Sequence, residues 1–229
     1  MNIESVHDED EPFHWSEILV RGPQAEVFLQ GQLSQDVADL SDTGAWSFLL
    51  EPNSDVLCTC FVRALPDGFS LLVARESSLG ALARLKRFHL RVDCTLELFD
   101  AKTGPFSTWG EQIDLGEPGP AEFVGVSPQS YGGAFVTSHV SFAKGCFTGQ
   151  ELVARMDARG SSVPWRFVRV VGPSLDAVDA VLKRKGPEGV SGVTSAVRRG
   201  DSVAALGFIN RSALEEATSS TEVILDVIA

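Results

Sequence analysis

Apolar residues recur at two spacings along this chain, and the spacing changes with position. Ile18 to Val20 reads as a short strand, and after Gly22-Pro23 the residues Ala25, Phe28 and Leu29 recur at helix-face spacing. Gln30-Gly31-Gln32 interrupts that stripe, and Ser34 is placed to cap a short turn through Val37 and Leu40. Three apolar runs follow: Trp46 to Leu50, Val56 to Ala64 and Phe69 to Ala74. They are bounded by the turn signals PNSD and PDG and predict strands. Ser77 or Ser78 can cap a helix from about Leu79 to Phe88, with Leu79, Leu82, Leu85 and Phe88 on one stripe. Val92 to Phe99 predicts a further strand. Short connections between these elements predict an α+β layer, with helices on one face of a mostly antiparallel sheet.

From about residue 100 to 138 the pattern weakens into Gly- and Pro-rich stretches (TGPF, GEPGP, SPQSYGG), and no long helix is predicted. A helix from about Gly149 to Met156 follows. The last sixty-odd residues then turn to short strands between glycine-containing turns: Arg166 to Val171, Val193 to Val197, Ala204 to Ile209 and Glu222 to Ile228. Only Asp176 to Arg184 looks helical there. This predicts a small all-β unit, a barrel or sandwich. The expected division is residues 1–164 as the α+β part and 165–229 as the β part, with the boundary near Ser161 to Trp165.

Composition narrows the classes. The chain has 229 residues, 44% hydrophobic and 22% charged, as in a soluble globular protein, and its length favours two compact units over one. No apolar run approaches the ~18 residues of a membrane span, and the acidic start MNIESVHDEDEPF is unlike a secretory signal, so a cytoplasmic protein without membrane contact is expected. Net charge is −12, with Glu4, Asp8, Glu9, Asp10 and Glu11 all near the start, which disfavours direct nucleic-acid binding. The basic run Arg84, Lys86, Arg87 and Arg91 reads as a solvated helix face. Four cysteines (Cys58, Cys60, Cys94, Cys146) form neither a disulfide framework nor a zinc spacing, and no permanently bound metal is expected. Cys58 and Cys60 point to one side of the strand LCTCFV and read as core residues.

The chemistry gathers in SFAKGCFTGQELVARMDARG, residues 141–160. Glycines at 145 and 149 flank Cys146 and permit positive φ or close approach of another chain. A helix starting near Gly149 would place the thiol at its entrance, where free N–H groups and Lys144 favour a thiolate. A small residue buried in a Gly-rich turn, with Lys144 solvated, is the alternative. His139 lies seven residues upstream, and nothing in the spacing makes it a base for the thiol.

KGCFTGQE closely resembles the K-G-C-[YF]-x-G-Q-E signature of the YgfZ-type folate-binding proteins. These are relatives of the glycine-cleavage T-protein (aminomethyltransferase, GcvT-like) and support iron–sulfur cluster assembly or repair. FLQGQLSQDVADL resembles the family's N-terminal F-L-Q-G-Q-x-[ST]-x-D-V element, and SGVTSAV with AALGFINR resembles elements of its C-terminal barrel. The resemblance implies α+β modules around a central folate-type pocket followed by a small C-terminal β-barrel. It implies tetrahydrofolate or a derivative as the bound cofactor, and iron–sulfur client or assembly proteins as partners; a monomer is expected. Carried over residue by residue, Cys146 and Lys144 are the reactive pair. Gly145, Gly149, Gln150 and Glu151 complete the motif, with Arg155 one turn on. Gln30, Gln32 and Asp36 come from the N-terminal element, and Trp46 and Phe142 are candidates to stack on the pterin.

Three departures matter. Where aminomethyltransferases carry a carboxylate on an early strand, this chain has Thr59, which disfavours glycine-cleavage activity. The preceding turn is Asn53-Ser54-Asp55 rather than glycine and a base. AEFVGVSP keeps Glu122, Gly125 and Pro128 of an R-x-E-x-G-x-P element but lacks the arginine, which should weaken folate binding. The leading expectation is a folate-binding accessory protein with Cys146 as functional thiol. The alternatives are a one-carbon transferase using Glu151 or Asp36 for proton work, and a scaffold without ligand.

Overall fold

The computed structural model describes residues 6–38, 40, 43–158, 163–182, 192–214 and 223–228. In chain order its elements are β1 (Val6–Asp8), β2 (Trp15–Arg21), α1 (Ala25–Gln32), β3 (Ala45–Leu50), β4 (Val56–Leu65), β5 (Gly68–Ala74), α2 (Ser78–Phe88) and β6 (Thr95–Asp100). There follow α3 (Trp109–Leu115), α4 (Gly133–His139), α5 (Gln150–Ala158), β7 (Trp165–Gly172), α6 (Leu175–Leu182), β8 (Gly192–Arg199), β9 (Ser202–Asn210) and β10 (Ile224–Val227).

Two five-stranded sheets organise these elements, with strand orders β3-β4-β5-β2-β6 and β1-β8-β9-β7-β10. The first is antiparallel throughout. Its strand alternation sends Leu49, Cys58, Cys60 and Val62 toward α1 and α2, where they pack with Phe28, Leu29, Ala81 and Leu85. Phe48 and Leu50 point the other way, into a central layer shared with Tyr131, Phe135, Phe167 and Phe208. The second sheet repeats the arrangement. Phe167 and Phe208 face that central layer, whereas Val168, Val170, Ala205 and Ile209 pack under Val178, Val181 and Leu182 of α6. Both sheets are therefore covered on both faces, and the aromatic layer between them joins the two halves.

The expected C-terminal barrel is not closed. Its outer strands, β1 and β10, have three and four residues and pair only inward, and β1 comes from the N-terminus to run parallel to β8. Closure is one way to bury a sheet's faces and edges; here α6 and the aromatic layer cover the faces, and very short strands leave little edge to protect. The acidic N-terminus is held there by charge, with Glu9 3.0 Å and Asp8 3.8 Å from the guanidiniums of Arg199 and Arg198.

Five local expectations are corrected. Gln30-Gly31-Gln32 does not interrupt α1, which runs through Gln32. Ser34 caps no turn: its Oγ accepts from the Phe48 N–H at 2.9 Å and donates to the His139 carbonyl at 2.6 Å, tying β3 to α4. Neither Ser77 nor Ser78 caps α2 through its side chain. That helix is also rotated from the predicted stripe. Leu79 is 72% exposed and Phe88 37%, while Ala81, Arg84 and Leu85 face the sheet. Arg84 is thus a buried residue and not part of a solvated basic face. The expected boundary at Ser161 and the end of the last helix at Arg184 lie outside the described residues.

Candidate functional site

The loop carrying KGCFTG is fastened to the connection between α1 and β3 along most of its length. The Ser141 N–H donates to the Ser34 carbonyl at 2.9 Å, and the Thr148 N–H donates to that of Gly31 at 3.0 Å. Lys144 turns inward, its Nζ donating to the carbonyls of Leu33 at 2.7 Å and Gln35 at 2.8 Å. Phe147 is buried beside it. Gly149 sits at φ +85°, where a Cβ would stand 3.0 Å from the Glu51 carbonyl oxygen, and its own carbonyl accepts from Ser54 Oγ at 2.6 Å. Gly145 has no such need, since a Cβ there would meet nothing within 4 Å. Between Ser141 and Gly149 the exposed residues are Phe142, Ala143, Gly145 and Cys146.

Cys146 is accordingly a presented thiol and not a small residue filling a turn. The other three cysteines are buried. Burial pushes the Cys58 thiol up to about 12, raises Cys60 well above its ordinary value with its neighbour Cys58 adding to the shift, and raises Cys94. The alternative of a solvated Lys144 is corrected: the side chain is buried and its ammonium donates to two backbone carbonyls. Burial lowers Lys144 to about 8, with the Asp36 charge opposing the shift.

Of the remaining candidates, the structure gathers Gln30 and Asp36 with Lys144. The Asp36 carboxylate accepts from the Ala38 N–H and from Gln30 Nε2 at 2.6 Å, and these bonds hold it below the usual carboxylate range. Gln30 Oε1 accepts in turn from the Val37 N–H. Gln32 is separate, its Oε1 accepting from Arg84 Nη1 at 3.0 Å. Gln150 folds back so that its Oε1 accepts from the Phe147 N–H at 3.4 Å, at the start of α5. Glu151 and Arg155 pair on the exposed side of that helix and line a shallow groove of about 430 Å³ with Asn53 and Ser54. Trp46 is packed among Trp15, Phe61 and His139. Phe142 is 42% exposed and opens onto a different cleft.

A second polar centre lies inside the protein. Glu122 is fully buried, and its carboxylate accepts from Ser195 Oγ at 2.6 Å and from the Gly119 N–H at 2.7 Å; burial raises its pKa. Beside it is a cavity of about 170 Å³ lined by His7, Glu76, Trp109, Pro120, Ala121, Thr194 and Ser195, with His7 stacked on Trp109 at 3.9 Å. Thr59, where a strand carboxylate was sought, contacts the carboxyl of Glu117, which is 3.3 Å from His139 Nε2. Glu117 and His139 are both buried, and burial raises the Glu117 carboxyl. Spacing in the sequence carries no signal for this pair, because residues 117 and 139 meet only through the packing of α4 on β3. None of the cysteine-loop residues lines the Glu122 cavity.

No family model and no curated protein matches the chain. Among solved structures it is similar to the glycine cleavage system aminomethyltransferase T from Bartonella henselae, with a TM-score of 0.59 at 16% identity. The match covers 90% of this chain and 80% of that one. The chain has the T-protein fold. Within the T-protein fold described here, no helix among the described residues is long and apolar enough to cross a membrane. No group of three or more His, Cys, Asp and Glu side chains is poised for a metal among them either.

Proposed function

We propose that this T-protein-fold chain is a folate-binding-type accessory protein of the cytoplasm that acts through the Cys146 thiol on iron–sulfur proteins. The observation that carries the reading is the stapled loop: Lys144, Phe147, Thr148 and Gly149 all face inward, and the thiol between them is held out to solvent. A rigid loop presents a thiol to a partner with less ordering cost than a mobile one. One thiolate supplies a single ligand to a cluster that normally takes four, so the iron–sulfur client or assembly protein would complete the set. The protein would act as a monomer and without nucleic acid.

The donor set at Glu122 fits the ring head of a reduced folate. The Glu122 carboxylate is held by the Ser195 and Thr194 hydroxyls and by backbone N–H groups including that of Gly119, and it would take the paired N–H donors of a pterin edge with both hydroxyls rotating away. The adjoining volume of about 170 Å³ is below the roughly 300–1,000 Å³ of sites for drug-sized ligands, so the acyl tail would lie outside. Folate supplies one-carbon chemistry when bound. The chain's own carboxylates do not support transfer: Glu151 is tied to Arg155, Asp36 to its turn and Glu117 to His139.

The test has two parts. Glu122→Gln should weaken tetrahydrofolate binding in calorimetry, whereas Cys146→Ala should leave it unchanged. Cys146→Ala should fail to restore iron–sulfur enzyme activity in cells lacking the native protein. Full rescue by Cys146→Ala would remove the functional thiol.

A further inference from the structure

The cavity beside Glu122 is small for a ligand site, about 170 Å³ against the roughly 300–1,000 Å³ that is usual. One of its walls comes from outside the loop and strand that hold Glu122. His7, in the three-residue strand β1, lays its imidazole flat on the indole of Trp109, with ring centroids 3.9 Å apart and planes 5° from parallel. Both rings line the cavity, so a flat ligand entering it meets this stack. Trp46 is packed among other rings and Phe142 opens onto another cleft, whereas Trp109 is the large aromatic of this wall.

β1 is loosely attached by comparison with the rest of its sheet. Among the described strands it pairs with β8 alone, over three residues, with Asp8 opposite Arg198. The charges there are two exposed groups 3.8 Å apart, and such pairs contribute little and are screened by salt. Val6 is only partly buried. The chain just after β1 is firmly held. The carbonyls of Glu9 and Glu11 accept from the N–H groups of Gly110 and Trp109 at 3.0 and 3.1 Å, and the buried ring of Phe13 lies 4.8 Å from that of Trp109. A turn closed by the Glu11 N–H on the Asp8 carbonyl separates the two parts, and His7 is tied across it to the Glu11 carboxylate at 3.0 Å. β9 pairs with β8 along its other side, so the sheet keeps its core without β1.

We propose that β1 is a built-in cover, with the His7 imidazole holding the face of Trp109 on which the flat ring of a ligand stacks once the strand swings aside. The identity of that ring rests on the folate-type reading above; the cover itself stands on the geometry. Swinging β1 out about the Asp8–Glu11 turn removes the His7 wall and widens the cavity, while Phe13 keeps Trp109 in place. Stacking of the ligand ring then replaces stacking of the imidazole, so strand and ligand compete for one surface. Apparent affinity follows the fraction of molecules with β1 displaced, and a change that releases the strand tightens binding.

Thiol labelling reads the cover without any ligand. In the full chain carrying Cys146→Ala and Thr194→Cys, a maleimide should modify position 194 slowly. Asp8→Lys should quicken the reaction about three- to tenfold, as expected when one exposed ion pair becomes a repulsion, and adding Arg198→Glu should restore the slow rate. His7→Ala, or raising salt from about 0.05 to 0.5 M, should quicken it as well. Should Thr194→Cys not fold, hydrogen exchange at residues 6–8 of the unaltered chain reads the same opening and should speed up in high salt. Tetrahydrofolate should bind the Asp8→Lys protein more tightly by the same factor as the labelling. Labelling that responds while tetrahydrofolate binds neither protein supports the cover and overturns folate as the source of the ring. Equal tetrahydrofolate affinities despite faster labelling overturn the competition for Trp109. Labelling and exchange indifferent to salt, Asp8→Lys and His7→Ala overturn the cover alone, whatever tetrahydrofolate does.

Discussion

Two glycines flank Cys146, and the structure requires only one of them. Gly149 adopts φ +85°, and a Cβ on it would lie 3.0 Å from the Glu51 carbonyl oxygen and 3.2 Å from Leu50 Cβ. The left-handed backbone costs a residue with a side chain roughly 1–2 kcal/mol. Forcing a methyl against a backbone oxygen in a packed site adds a similar amount, about 1–2 kcal/mol, because the β3–β4 turn must shift. Gly149→Ala should therefore destabilise the protein by roughly 2–4 kcal/mol. For a chain of 229 residues each kcal/mol moves Tm by about 2–4 °C, so the melt should fall by roughly 5–15 °C. Gly145→Ala is the internal control, with nothing within 4 Å of the added methyl. It should be neutral or stabilise by up to about 1 kcal/mol through the unfolded state. Scanning calorimetry of the three proteins measures both effects. A Gly149→Ala protein melting within a degree or two of wild type, or a Gly145→Ala protein that loses as much, would refute the stapled-loop geometry on which the functional reading rests.

Native protein treated with iodoacetamide near pH 8 should label Cys146 first, because Cys58, Cys60 and Cys94 are buried with raised thiols; mass spectrometry showing Cys58 or Cys94 ahead of it would contradict this. Lys144 is lowered to about 8 in the fold from its ordinary 10.5, so between those values the unfolded chain holds more protons and this residue makes stability rise with pH; below about 8 both states are protonated and the burial cost is fully present. Urea titrations at pH 7.5 and 10 should show that rise reduced in Lys144→Met, by roughly 1–2 kcal/mol once the loop's exposed flanks are allowed for, with the wild-type-minus-variant difference cancelling the opposite trend of the buried cysteines. Arg84→Met should cost roughly 2–4 kcal/mol in the same assay, since it strips the donors from Gln32 Oε1 and the Leu50 carbonyl in a buried site, and a neutral result would place Arg84 back at the surface.

Apart from β1, the strands of both sheets were legible in the sequence, as were the helix after Gly22-Pro23 and the helix after the cysteine motif. Burial on one or both faces leaves a period that survives in a string of residue types. The motif around Cys146 was legible too, as was the pairing of Cys58 and Cys60 on one side of their strand. What the sequence could not carry was the partner of each polar group. Lys144 reads as a charge beside the thiol or a solvated one until Leu33, 111 residues earlier, offers its carbonyl. Arg84 reads as part of a basic face until Gln32 and Leu50, 52 and 34 residues away, supply acceptors inside the core. Glu122 acquires Ser195 across 73 residues, and His139 meets Glu117 only because α4 packs on β3. The open edge of the second sheet was likewise decided late: β1 joins it from the far end of the chain, and α6 covers a face that closure into a barrel would otherwise have to bury. Periodicity reports that a position is buried; which acceptor, donor or charge waits there is set by contacts between distant segments, and only the tertiary structure brings those together.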